Sequence, residues 1–152
     1  MKRALVLIGM LLVATVHAQD LVIEGKNKGL KGVNTVAVVV RPNTPREVVP
    51  MGELFNMVRV RLHRDLPDLK LSDTAENTPT WLELNIVTTD TGGSLELSLH
   101  RWVKVTDTGD EIFTKVWWDS RHIFGGISKA SLKDALDSLL TKFAADRLRA
   151  GR

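Results

Sequence analysis

The chain has 152 residues, with 21 basic and 18 acidic side chains, a formal charge of +3 and no cysteine. Disulfides and thiolate metal sites are therefore excluded, and stability has to come from packing. The opening MKRALVLIGMLLVATVHAQD sets Lys2 and Arg3 before an uncharged run from Ala4 to Val16 and ends in small residues, the pattern of a secretory signal with a cut after Ala18. The apolar run is shorter than the roughly 20 residues that span a bilayer, and no cysteine follows it for lipid attachment. Residues 1–18 are thus expected to be a cleavable signal peptide. The mature chain is expected to be soluble, periplasmic or secreted, with no stable membrane anchor after cleavage. Losing Lys2 and Arg3 leaves 19 basic against 18 acidic residues, a net +1, and so removes the broad electrostatic case for nucleic acid.

Residues 19–152 are long enough for one sizeable core. After a polar, glycine-bearing stretch, the β-branched run Thr35 to Val40 predicts a strand buried on both faces. RPNTPREVVP reads as a connection. Met51, Leu54, Val58 and Leu62 then recur at helical spacing, predicting an amphipathic helix over 51–64 with Pro50 suited to its first turn. A short strand is expected around Leu69 to Leu71. Period-2 alternation marks Trp81 to Thr88, with Leu82, Leu84 and Ile86 on one face, and Ser94 to Val105, with Leu95, Leu97, Leu99, Val103 and Val105 on one face. TTDTGG and TDTGD supply the turns of consecutive antiparallel hairpins, and Glu111 to Asp119 closes the meander. Gly125 and Gly126 free the backbone to turn into a final helix, Ser128 to Ala150, carrying Leu132, Leu136, Leu139, Phe143 and Leu148, with Ser131 and Asp134 as a capping pair. The expected fold is a single α+β domain over 19–152: two layers, a mainly antiparallel sheet in the order β-α-β-β-β-β-α, and two helices on one face.

Opposite the leucines stand Trp81, Glu83 and Asn85, then His100, Trp102 and Lys104. If Ile112 and Val116 point inward, Phe113, Lys115 and Trp117 join them, with Trp118 in the core. Trp81, His100, Trp102, Lys104, Phe113, Lys115 and Trp117 are therefore the candidate interaction surface, since tryptophan supplies rigid contact area and lysine charge; cross-strand aromatic neighbours stabilising an open sheet face are the structural alternative. Weak self-association through this face is expected, opposed by Lys104 and Lys115 and strengthened when salt screens them. Arg101 interrupts the inward series and marks a bulge or a rim.

No cofactor, catalytic residue or metal ligand is assigned. His63, His100 and His122 lack close ligand spacing, no G-x-S-x-G elbow is present, and Glu83 and Glu96 fall on the wet face. The leading reading is an exported, non-enzymatic binding or interaction module of the bacterial cell envelope, its partner an unknown envelope protein or ligand. The alternative is a small periplasmic hydrolase or metal-dependent enzyme with a site near His100 and His122, requiring a pocket where a histidine meets a carboxylate or serine.

The segments GLKGVNTVAVVV, RVRLHRDLPDLKL, WLELNIV, VWWDS and LDSLLTKFAADRLRA together resemble a group of uncharacterised exported bacterial proteins, over nearly all of the mature chain. The resemblance implies an exported α+β protein and brings no activity with it. It implies a structural anchor at Trp118.

Overall fold

The computed structural model describes residues 28–44, 48–76 and 78–151; the expected signal peptide and its cleavage site lie outside them. A 3-10 turn at Lys28–Leu30 leads into β1 (Thr35–Asn43), α1 (Met51–Asp65), β2 (Lys70–Ser72), β3 (Thr80–Thr89), β4 (Gly92–Lys104), β5 (Glu111–Phe124) and α2 (Lys129–Ala150). The sheet order is β2-β1-β3-β4-β5. β1 is parallel to both neighbours, whereas β3-β4 and β4-β5 are antiparallel hairpins. The sheet is therefore mixed. Parallel β1 and β2 need a crossover, which α1 supplies.

β1 is an interior strand, as its β-branched run predicts, with Val36, Ala37 and Val38 buried. It continues through Arg41-Pro42-Asn43, beyond the expected boundary. β2 pairs only with Thr35 to Ala37, so Pro42 lies on a stretch laddered to β3 alone, where a missing N–H is tolerated.

The core lies between the sheet and the two helices. Leu82, Leu84 and Ile86 of β3 and Leu95, Leu97 and Leu99 of β4 meet Leu54, Val58 and Leu62 of α1 and Leu132, Leu136, Leu139, Leu140 and Phe143 of α2. Each such side chain contributes about 1.5–3 kcal/mol on burial. Two expected stripe members fall outside it: Met51, in the first turn, and Leu148, near the end of α2, are exposed. Pro50 is the N-cap of α1, one position before the helix, and α2 is capped by Ser128 with Ser131 rather than by Ser131 with Asp134. Gly125 and Gly126 adopt φ of 78° and 96°, the left-handed turn expected of them.

β5 departs from the expected alternation. Leu99 pairs with Trp117 but His100 pairs with Lys115, so Val116 is an extra residue in the ladder, a β-bulge. Phe113 and Lys115 face outward as expected. Beyond the bulge the phase is inverted: Trp117 shares the inner face with Leu99 and is 0% exposed, whereas Trp118 lies opposite Ser98 on the outer face. The expected outward Trp117 and inward Trp118 are exchanged, and Ile112 keeps the inward phase opposite Val103 but is exposed there. Val116 abuts the 3-10 turn, where a Cβ on Gly29 would lie 2.6 Å from the Val116 carbonyl oxygen and 2.7 Å from its Cβ.

Trp117 locks α2 to the sheet. Its ring meets Phe143 edge-on at 5.1 Å between centroids, and Nε1 donates to Asp146 Oδ2 at 3.1 Å. Asp146 is 2% exposed and also accepts from Lys142 and Arg149. Burial disfavours its ionised form, but the hydrogen bonds from Lys142 and Trp117, with the charges of Lys142 and Arg149, outweigh this and hold its pKa below the ordinary value. The adjacent Arg147 donates through Nε and NH2 to the Val33 carbonyl at 3.1 and 2.9 Å and pairs with Asp68. These two residues tie α2 to β5, to the start of β1 and to the segment after α1.

Two stability measurements test this frame. Asp146→Ala leaves the buried Trp117 N–H without its acceptor and is expected to cost about 1–3 kcal/mol in urea unfolding near neutral pH. Because the folded carboxyl has the lower pKa, its contribution is present above the unfolded value and lost as pH falls through the folded one, so wild type and variant should converge in acid. Gly29→Ala should destabilise by about 1–3 kcal/mol through overpacking. Adding Val116→Gly should not restore the loss, since the obstructing carbonyl remains.

Candidate functional site

On the face away from the helices, the ladder aligns Ala37, Trp81, His100 and Lys115 in one row, Val39, Glu83, Ser98 and Trp118 in the next, and Arg41, Asn85, Glu96 and Ser120 in a third. The first row, with Trp102 and Phe113 paired beyond it, forms an aromatic group centred on Phe113. Its ring lies 4.9 Å from Trp81, 5.5 Å from Trp102 and 6.0 Å from His100. Six of the seven expected surface residues, Trp81, His100, Trp102, Lys104, Phe113 and Lys115, share this face; Trp117 is a core residue, carried inward by the bulge.

The six are not equally available. Trp81 is half-buried, and its Nε1 donates to the carbonyls of Ala75 and Thr78, each at 3.0 Å. β2 and β3 flank β1 on opposite sides, so the chain between them must pass β1; Trp81 holds that link, and Ala37 in register beside it is buried. Trp102 is 53% exposed. Lys104 is exposed and in register with Glu111.

Lys115 is ion-paired with Glu96, and Arg41 Nε lies 3.1 Å from Glu83 Oε2. Glu83 and Glu96 therefore each hold a separate cation rather than forming a carboxylate pair, and Lys115 contributes less free charge to the face than its sequence position implies. His100 lies among these four. Burial lowers its pKa; Glu83 and Glu96 pull it up and Lys115 and Arg41 push it down, and the balance stays below the ordinary value.

His100 Nε2 also lies 3.1 Å from Ser98 Oγ, the type of contact a nucleophile and base require. Spacing of two within a strand puts both on one face, so this contact was readable from sequence. Ser98 is 1% exposed, however. A groove of about 270 Å³ runs past Trp102, Arg101, Thr80, Pro79 and the Gly32–Thr35 segment, and Ser98 and His100 are not among its walls. His122 pairs with Ser94, six residues along β4 from His100, or about 20 Å at strand rise, so the two histidines form no common site. Among the described residues no group of three or more metal-ligating side chains converges. Arg101, beside the bulge, donates to the Gly29 and Lys31 carbonyls and closes the rim of the sheet onto the 3-10 turn.

No protein-family model matches this sequence. No curated protein matches it either. Solved structures that the chain matches include the PelC dodecamer from Paraburkholderia phytofirmans, 16% identical over 74% of this chain and 87% of that one, with a TM-score of 0.39. Lipoprotein GNA1162 from Neisseria meningitidis is 13% identical over 74% of this chain and 98% of its own, TM-score 0.36. The hypothetical protein CT253 from Chlamydia trachomatis is 13% identical over 76% and 94%, TM-score 0.37. Likenesses at these identities and TM-scores carry neither site nor function. No helix among the described residues is long and apolar enough to cross a membrane.

The environment of His100 is testable by NMR titration. Its imidazole is expected to titrate below the ordinary range, and Lys115→Gln should raise the value by removing one cation and releasing Glu96. With the folded pKa depressed, stability should fall as pH drops from the unfolded value near 6.5 toward the folded one and level off below it.

Proposed function

We propose that the mature chain is an exported, non-enzymatic interaction module of the bacterial cell envelope, binding a protein or ligand through the aromatic end of its outer sheet face. The observation that supports this reading is Trp102, half-exposed and braced by Phe113 on a face that neither helix covers. A supported indole offers large contact area at little cost in side-chain freedom, the property that makes tryptophan an anchor at interfaces. Lys104 and Glu111, in register at the same end of the face, add one charge of each sign and favour a partner with polar groups beside an apolar one. Trp81, already engaged by main-chain carbonyls, meets Phe113 edge-on within the same face.

The hydrolase alternative rests on the Ser98–His100 contact and requires substrate to reach a serine that is 1% exposed. The interaction reading requires no such opening.

A photoreactive residue substituted at Trp102 should form discrete adducts in envelope extract, and one at Lys133, exposed on α2, should not. Phe113→Ala, combined with the photoreactive residue at 102, should reduce the yield by withdrawing the brace. Identical adduct patterns from positions 102 and 133 would refute the interaction reading, and labelling of Ser98 by a serine-reactive phosphonate would favour the hydrolytic one.

A further inference from the structure

Away from the Trp102–Phe113 patch, the molecule has a second candidate surface in the edge of β5. Among the described residues, the sheet order leaves β5 bonded to β4 on one side only. At Ser120, side chains stand where a further strand would be: its N–H donates to Asp119 Oδ1 at 3.0 Å, and Arg121 NH1 donates to its carbonyl oxygen at 2.8 Å. Asp119 and Arg121 are also paired with each other at 3.1 Å. Both lie on the helix-bearing face, in register with Leu97 and Leu95. A strand edge is a template for another strand, and the charged side chains that cap this one are what a second strand must displace.

We propose that a second copy of this chain pairs with β5 in antiparallel fashion about a two-fold axis at Ser120, so that Asp119 of each copy faces Arg121 of the other. The charge order selects this register. An axis through Asp119 would set two carboxylates face to face and an axis through Arg121 two guanidinium groups, and like charges directly opposite are destabilising. With the axis at Ser120, both pairs are of opposite sign and the small Ser120 sits at the crossing. Trp118 then meets His122 of the second copy on the outer face, an aromatic pair formed twice. The ladder ends before the Val116 bulge, where Gly29 of the same chain packs. Contacts made within one chain are exchanged for equivalent contacts between two, so the net gain is small and the association weak. Salt screens the closing charges and weakens it further.

The chain has no cysteine, so Ser120→Cys in the mature protein reports the axis while leaving Asp119 and Arg121 in place. Disulfide dimers should form at least about tenfold faster than from Lys133→Cys at equal concentration, reflecting the raised local concentration of the two thiols. In sedimentation, Asp119→Arg and Arg121→Asp chains, each checked for folding by circular dichroism, should both lose self-association, and their equimolar mixture should regain it. Equal crosslinking of the two cysteine variants, or a mixture that remains monomeric, overturns the proposal. Association that strengthens with salt also overturns it and assigns the contact to the aromatic face.

Discussion

The single extra residue at Val116 sets the orientation of everything after it. A regular β5 continuing the phase of Phe113 and Lys115 would present Trp117 to solvent and leave Phe143 and Asp146 without their partner. The bulge shifts the phase, and the largest side chain of the strand enters the core opposite Leu99. The energetic weight lies with the tryptophan: burying its area outweighs one disrupted step of the ladder. Packing of Val116 on Gly29 and the reach of Arg101 to the Gly29 and Lys31 carbonyls hold the bulge in place.

Much of this fold is legible in the sequence because its strands alternate cleanly. Leu82-Leu84-Ile86 and Leu95-Leu97-Leu99 each give the buried face directly, and the β-branched run at the start of β1 gives an interior strand. β5 is legible only up to Lys115. Its signal of trouble is VWW, three consecutive large apolar residues in a half-buried strand, which period-2 packing cannot place on one side. That triplet announces a change of phase without saying which residue is extra; the answer depends on Gly29 and Phe143, distant in sequence. The parallel pairing of β1 with β3 is equally hidden, since β2 is three residues long and the link after it is held by main-chain carbonyls that leave no mark in side-chain pattern.

The candidate face divides along the sheet for the same reason. Alternation correctly groups Trp81, His100, Trp102 and Phe113, but side-chain availability is a property of neighbours that alternation does not reveal. Trp81 is committed to the crossover link, Lys115 and Arg41 are committed to Glu96 and Glu83, and Trp102 and Lys104 remain as the accessible end. The result is a charge-compensated half beside an aromatic half, with His100 at the boundary.

Arg147 and Val33 are separated by 114 residues yet joined by two hydrogen bonds. Such a contact encloses a very long loop, whose closure entropy must be met before the contact stabilises anything. The hairpins β3-β4-β5 close on much shorter loops. Arg147 closes the longer loop and ties the start of β1 to the end of α2. Shortening the chain by its last six residues would remove Arg147, and the loss would be felt at the opposite end of the sequence, where protease sensitivity would first appear.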